Sequence, residues 1–280
     1  MKRGTKMKLQ YLGTAAAEGW PALFCTCDNC ARARAAGGKN IRTRSQAVID
    51  DELVIDFPPD TYMHVLQNHL DASKWSGMII THGHTDHFYP MDFEMHVPAF
   101  AHGATHLTVY CNRRCAYLAK DVRMKLMERG KTDSVSFQII DPFVPFTHGK
   151  YEITALKADH DKTQDAYFYL ISDGEKTLLY AHDTGWFPKE SWEYLAGRHL
   201  DCVSLDCTYL VKETWSKGHM SLDVCAKVAE ELKKLGCVDA ETKLIVNHFS
   251  HNGILTYDEM LPEAAKYGLD VSYDGKIVEI

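Results

Sequence analysis

The sequence predicts a mixed α/β (α+β) fold in which sheets pack on one another and helices cover them. Three observations carry that reading. Short apolar strands recur in both halves of the chain, helical stretches interrupt them at intervals, and no repeat, low-complexity tract or linker divides the 280 residues. With 45% hydrophobic residues the chain can bury a large core, so residues 1–280 are read as a single domain in two similar halves.

In chain order, residues 7–13 read as a strand and 46–56 (QAVIDDELVID) as a hairpin turning at Asp50-Asp51, stopped by Pro58 and Pro59. Residues 61–70 have helical spacing. Residues 78–81 form a short buried strand and 108–112 another, followed by one helix over 113–129. Strands over 135–140, 151–157, 166–172 and 176–181 follow at short intervals, separated by turn signals such as Ser172-Asp173-Gly174. Helices are expected over 188–196, 221–235 and 256–267, with strands at 202–206, 244–247 and 271–280.

The 31 basic and 38 acidic residues leave a net charge of −7, with no run of five like charges. That balance disfavours a broad nucleic-acid or membrane-binding surface. Nine cysteines, odd in number and unevenly spaced, and a basic start that leads into no apolar segment of signal-peptide length predict a reducing cytoplasm. No apolar run approaches the roughly 20 residues that span a bilayer, so a soluble protein is expected.

The chemically densest segment, Thr81-His82-Gly83-His84-Thr85-Asp86-His87, follows directly on the apolar strand Gly77-Met78-Ile79-Ile80. Four metal-type ligands in six residues are poor chemistry for a solvated loop. A strand end is rigid, so His82 and His84 can converge on one metal, while the turn through Thr85 carries Asp86 and His87 toward a second. Four ligands cannot fill two coordination spheres, and further candidates stand at strand ends: His160 after 151–157, Asp183 after 176–181 and His248 after 244–247. Each alone reads as a turn or capping residue; beside HxHxDH the three read as ligands.

A second constellation, Cys25-Thr26-Cys27-Asp28-Asn29-Cys30, holds three thiols, one short of the four ligands of a closed zinc site. A reactive or incidental thiol cluster is the alternative. His219 stands just ahead of the helix from 221, where by itself it reads as a capping-region residue. Cys111, Cys115, Cys202, Cys207, Cys225 and Cys237 read as small buried hydrophobes. His64, His69, His96, His102, His106, His148 and His199 read as surface or packing residues.

With HxHxDH, then a single His, an Asp and a late His in that order, the sequence resembles the metallo-β-lactamase superfamily from Leu9 to the C-terminus. The resemblance implies a four-layer αββα sandwich with a dinuclear metal site at the sheet edge. It implies that His82, His84 and His160 hold one metal, that Asp86, His87 and His248 hold the other, and that Asp183 bridges them. Within the superfamily, residues 12–34 (LGTAAAEGWPALFCTCDNCARAR) and Asn247-His248-Phe249-Ser250-His251 are similar to the carbon-phosphorus lyase accessory phosphodiesterases of PhnP type. That likeness implies that His251 completes a structural Zn²⁺ site with Cys25, Cys27 and Cys30, and that His219 is the family's catalytic histidine that is not a ligand. His182, beside Asp183, is held only as a group supporting the ligands.

The implied chemistry is hydrolysis of a small, cyclic phosphodiester of ribose or nucleoside type by hydroxide generated on two divalent ions. Mn²⁺ is favoured, with Zn²⁺ or Fe²⁺ also suited to histidine and carboxylate ligands. Asp86 and Asp183 would organise the pair, and His219 would bind a phosphoryl oxygen or protonate the departing alkoxide. Trp186, Phe187 and Tyr89 lie next to ligand segments, where stacking on a base or sugar and core packing are equal readings. The expected partner is a small molecule, with no membrane, nucleic acid disfavoured and a homodimer left open. Three other readings stand. A tRNA 3′-processing endonuclease is opposed by the net charge and the lack of a long basic, glycine-rich arm. A thioester hydrolase of glyoxalase II type would not bring the thiol clip or His219. A non-hydrolytic carrier resembling the pyrroloquinoline quinone biosynthesis protein B shares the thiol region but has no need of an intact dinuclear ligand set.

Overall fold

Two seven-stranded sheets face each other in the computed structural model, which describes residues 6–130, 134–212 and 217–280. The first half supplies β1 (Lys8–Gly13), α1 (Asp28–Ala36), β2 (Gln46–Ile49), β3 (Leu53–Ile55), α2 (Thr61–Gln67), β4 (Gly77–Ile79), β5 (Leu107–Cys111), α3 (Arg113–Leu118), α4 (Lys120–Glu128) and β6 (Val135–Ile139). The second supplies β7 (Phe146–His148), β8 (Tyr151–Lys157), β9 (Tyr167–Ser172), β10 (Thr177–Ala181), α5 (Lys189–Leu195), β11 (Cys202–Asp206), α6 (Leu222–Lys234), β12 (Lys243–Asn247), α7 (Tyr257–Ala265), β13 (Asp270–Val271) and β14 (Ile277–Glu279).

The sheet orders are β14-β1-β2-β3-β4-β5-β6 and β13-β12-β11-β10-β9-β8-β7. Starting from β14 in one and β7 in the other, each sheet runs through three antiparallel pairs and then three parallel ones. Strands β3 and β10 therefore occupy the same station in the two sheets. One apolar cluster, including Leu9, Tyr11, Ile55, Ile79, Ile153 and Tyr180, fills the space between the sheets. A second lies under α2–α4 and a third under α1 and α5–α7, which makes four layers, αββα.

Local sequence explains most elements. Asp50 and Asp51 both adopt left-handed backbone (φ 51° and 60°), the conformation of the tight hairpin turns that fit strand twist and that Asp tolerates. Helix α6 buries Leu222, Cys225, Val228, Ala229 and Leu232 along one face, and α7 starts on a capping box between Thr256 and Glu259.

Two expectations need correction. The single helix over 113–129 breaks at Ala119 (ψ 0°), so that Cys115 and Ala116 on one piece and Val122 and Leu126 on the other all bury against the first sheet. The single strand over 271–280 is two strands in different sheets. Between them the Asp274 carboxylate accepts from Thr14 Oγ1 (2.6 Å) and from the Thr43 N–H (2.6 Å), and Gly275 turns the chain at φ 91°, carrying it across from β12 to β1. Helix α1 and edge strand β7 had no counterpart in the expectation, since α1 buries only Asn29, Cys30 and Ala33 and β7 is three half-exposed residues. No helix among the described residues is long and apolar enough to cross a membrane.

Candidate metal centre

Strand register delivers the site. Ile79 of β4 stands opposite Ile55 of β3, so the HxHxDH turn begins beside Asp56; Asp206 of β11 stands opposite Asn247 of β12, which puts His248 next to it. The carboxyl ends of parallel strands in both sheets thus open on one crevice, the usual place for a ligand in such sheets. Asp56, Asp183 and His248, each one or two residues beyond a strand, all have left-handed backbone (φ 67°, 51° and 64°). Non-glycine residues rarely adopt that conformation, and it clusters at functional sites.

His82 Nε2 lies 2.9 Å and His160 Nε2 3.2 Å from His84 Nδ1. Ligands held roughly 2.0–2.1 Å from a tetrahedral ion stand about 3.3 Å apart, so this spacing suits one cation. On the other side Asp183 Oδ2 lies 3.0 Å from His87 Nε2 and 3.1 Å from His248 Nε2, and Asp86 Oδ2 lies 3.2 Å from His87 Nε2. The second oxygen of Asp183 is 3.6 Å from His160 Nε2, so one carboxylate faces both sets. His87 Nε2, Asp183 Oδ2 and His248 Nε2 are all buried without a hydrogen-bond partner. Buried orphans are rare, and three that converge on one another fit a shared cation.

The ring orientations support the same reading. Thr81 Oγ1 donates to Asp56 and accepts from His82 Nδ1 (3.0 Å), and His87 Nδ1 donates to Asp56 Oδ2 (2.7 Å). His160 Nδ1 donates to the Gly218 carbonyl (3.1 Å) and His248 Nδ1 to Thr208 Oγ1 (2.9 Å). Each ring is left with an Nε2 lone pair aimed inward. His84 is reversed: its Nε2 donates to Asp161 Oδ2 (3.2 Å) and its Nδ1 faces the cluster. Such partners fix tautomer and orientation at metal sites.

The electrostatics are those of a cation site. Burial opposes charge on His87, yet Asp183, Asp86 and Asp56 hold its pKa well above the usual range. Burial likewise opposes ionisation of Asp86 and Asp183, and the surrounding histidines overcome it, holding both below the ordinary carboxylate range. The carboxylates that favour a proton on His87 favour positive charge at that point, and once the proton is displaced, imidazole lone pairs and ionised carboxylates are the donor set for divalent transition ions.

Asp206 and His219 also come within reach of Asp183 and His248, but Asp206 is saturated. Its Oδ1 accepts from Thr208 N and Met220 N, and its Oδ2 from Asp183 N and His219 Nδ1 (2.9 Å). It has no lone pair to offer an ion and acts as a strut. Ser221 occupies the N-cap position of α6 with no side-chain capping bond, and the His219 ring turns back to Asp206 rather than to the helix end.

The thiol clip is a separate cluster. Cys25, Cys27 and Cys30 at the start of α1 meet His251 from the turn after β12, with Cys25 Sγ 3.7 Å and Cys27 Sγ 3.5 Å from His251 Nδ1. Three sulfurs and one nitrogen suit Zn²⁺. The remaining six cysteines are buried. His182 is not a support for the ligands: it bonds Ser204 Oγ (2.7 Å) and the Asn247 side chain (3.2 Å) in the layer between the sheets. Phe187 is buried against Phe168 and Trp192 and cannot stack on a substrate, whereas Trp186 and Tyr89 are over a third exposed.

Asp56, Asp206 and Asp161 went unnoticed in the sequence. A carboxylate that closes a short, mostly apolar strand, as in Leu53-Val54-Ile55-Asp56 and Cys202-Val203-Ser204-Leu205-Asp206, is a readable signal for the first two; Asp161 has none beyond its place next to His160.

A family model described as the beta-lactamase superfamily domain matches residues 53–249, from β3 to just past His248. Ribonuclease Z of Listeria innocua is 25% identical over 144 residues, which is 50% of this chain and 47% of that protein, so the match spans about half the length of that relative. Among solved structures, a diphosphatase from the PhnP family superposes with a TM-score of 0.77 at 21% identity over 99% of this chain and 98% of that one. Zn²⁺-bound PqqB from Methylobacterium extorquens superposes with a TM-score of 0.76 at 18% identity over 98% and 100%. These two likenesses are of fold.

Proposed function

The chain belongs to the beta-lactamase superfamily, and from that premise we propose that it is a hydrolase, a metal-dependent phosphodiesterase acting on a small, cyclic phosphodiester of ribose or nucleoside type. The observation that carries this reading is the division of the ligand atoms into two groups that both face Asp183, with His87 Nε2, Asp183 Oδ2 and His248 Nε2 buried and without a hydrogen-bond partner. His82, His84 and His160 would hold one divalent ion and Asp86, His87 and His248 the other, with Asp183 between them. Mn²⁺ is preferred, with Zn²⁺ or Fe²⁺ within the range of the donors. Two such ions acidify a water and neutralise phosphoryl charge when bound. Cys25, Cys27, Cys30 and His251 would hold a structural Zn²⁺.

His219 supplies the proton. Its Nδ1–H is committed to Asp206, which leaves Nε2 for the substrate. Burial opposes protonation, but the Asp206 charge raises its pKa to about 9, so Nε2–H is present at neutral pH. The ring lies 4.9 Å from that of His160 and 5.5 Å from that of His248, beside both ligand groups. From there Nε2–H donates to a non-bridging phosphoryl oxygen and follows the developing charge to the departing alkoxide. Two relatives bear names of phosphorus chemistry, a ribonuclease and a diphosphatase, which supports phosphorus over a thioester. The net charge of −7 favours a small substrate over RNA.

Elemental analysis of protein purified without added metal, paired with turnover of bis(p-nitrophenyl) phosphate, tests the reading. Three metals per chain, one of them zinc, and turnover lost on chelation and restored by Mn²⁺ are expected. Turnover of a glutathione thioester but no phosphodiester would overturn it, and efficient cleavage of precursor tRNA would replace the small substrate by RNA.

A further inference from the structure

His248 stands in a backbone conformation that its own residue type does not favour. Its φ is left-handed (64°), which is costly for a non-glycine residue and persists only where the surroundings over-determine it. The turn from Asn247 to His251 also carries the clip histidine, so whatever fixes this turn fixes one histidine of each cluster. Arg42, on the loop before β2, reaches both flanks of it.

Arg42 is 3% exposed and, among the described residues, has no carboxylate within ion-pair distance. Burial pulls its pKa down to about 10, with the Asp274 charge opposing, so the group stays charged near neutrality at a cost in desolvation. Its Nη1 donates to Thr14 Oγ1 (2.7 Å) and to the Ser272 carbonyl (2.9 Å), and the guanidinium carbon sits 4.4 Å from the centroid of the Phe249 ring. Each of these three partners belongs to the turn or holds it. Ser272 Oγ donates to Oδ1 of Asn247, the residue before His248, at 2.5 Å. The Thr14 carbonyl takes the N–H of Phe249, the residue after His248, at 2.9 Å, and the Phe249 carbonyl takes the Ala16 N–H at 3.0 Å. A planar guanidinium can hold two acceptors and cover an aromatic face at once; an ammonium cannot.

We propose that Arg42 is the positioning residue of His248: one buried guanidinium ties the chain on both sides of that histidine and so holds the left-handed turn that aims its Nε2 at Asp183. This rests on the reading of His248 as a metal ligand and adds to it a residue that touches neither ion nor substrate. The tolerance is small, since a site of this kind must be held within about 0.5 Å of its productive geometry. His248 Nε2 stands 3.1 Å from Asp183 Oδ2, and Thr208 Oγ1 orients the ring but leaves the backbone free to relax. The backbone is what Arg42 secures.

Amide hydrogen exchange of the metal-free protein, followed by NMR, tests the clamp apart from any metal. In Arg42→Met, which keeps length and apolar bulk but removes the fork, the Phe249 N–H should lose about 10- to 100-fold of its protection, the range for hydrogen bonds to a charged group. The Phe57 N–H, bonded to the His87 carbonyl (2.7 Å) on the other side of the crevice, should keep its own. Arg42→Lys should recover part of the loss, and should Arg42→Met fail to fold, Arg42→Lys carries the same comparison with the same outcomes. In a Co²⁺ titration the substitution should weaken one of the two His/Asp ions about 10- to 100-fold and leave the other unchanged. Equal loss of protection at Phe249 and Phe57 would show a residue that serves the fold alone, and unchanged protection would show no clamp; either overturns the proposal, as does full Co²⁺ affinity in a variant that has lost protection at Phe249. If the wild type binds no Co²⁺ at the His/Asp cluster while Phe249 alone loses protection in Arg42→Met, the metal reading falls and the clamp on the turn stands.

Discussion

Asp56 and Asp183 close β3 and β10, strands at the same station in the two sheets, and both are buried with left-handed backbone (φ 67° and 51°). They also grip the same ring: Asp56 Oδ2 is 2.7 Å from His87 Nδ1 and Asp183 Oδ2 is 3.0 Å from His87 Nε2. The difference is in the supply of donors. Asp56 takes the Thr81 N–H (2.8 Å), the Thr81 hydroxyl and His87, and burial raises its pKa. Asp183 Oδ2 takes no hydrogen bond at all, and the charges of His248 and His87 overcome burial to hold it ionised. One backbone feature therefore serves as a strut in the first half and as a candidate ligand in the second. Satisfied lone pairs position a ring, and unsatisfied ones await a cation.

The sharpest way to break this contrast is Asp183→Ala. The protein should stay folded and soluble while metal pairing is lost and activity falls to the level of the chelated protein. Activity within tenfold of wild type at unchanged metal content would remove Asp183 from the bridging role. His219→Ala comes next, since it deletes the group for which Asp206 is the strut. Both metals and the melting temperature should be retained while kcat falls by roughly 10² to 10⁴. If the proton goes to the alkoxide, the loss should be larger for a ribose leaving group than for nitrophenolate; equal loss leaves only the oxygen contact.

Asp56→Asn keeps an acceptor near His87 but removes the charge, so metal affinity should drop about 10- to 100-fold, the usual cost of altering such a partner, with kcat at saturating metal largely recovered. A loss as deep as that of Asp183→Ala would mean that the two carboxylates are equivalent after all. Cys27→Ser should act more weakly on chemistry. Zinc content should fall by one per chain and the melting temperature with it, while activity drops by less than about tenfold because Thr208 still orients His248. Unchanged zinc would show the thiols to be incidental.

The smallest expected effect is a titration within the clip. The backbone N–H of Cys30, with His251 and Cys25, lowers the Cys27 thiol to about 6, whereas burial pushes Cys30 up to about 11. In zinc-depleted protein, alkylation of Cys27 by iodoacetamide should therefore rise as pH passes upward through about 6, with Cys30 unreactive throughout the neutral range. A midpoint near the ordinary thiol value of about 8.5 would show that the start of α1 does not activate Cys27.

By itself the sequence determined what short-range spacing can dictate. HxHxDH after an apolar strand, three thiols in six residues, and His160, Asp183 and His248 at strand ends are legible because short-range spacing leaves such residues little freedom, and the structure gathers the His/Asp set at one crevice and the thiols with His251 in a second cluster. Most strands and helices are legible for the same reason, as local periodicity. Tertiary structure alone decided the pairings across sequence distance. Nothing local to Asp56, Asp206 or Asp161 says which histidine each will orient, because that choice depends on the register of β3 against β4 and of β11 against β12 and on the loop after β8. The split of residues 271–280 between two sheets was hidden likewise, since both pieces look like strand and only the placement of Asp274 against Thr14 and Thr43 separates them. Side-chain identity limits which interactions a residue can make; the fold, through close packing of distant segments, selects which of them it does make.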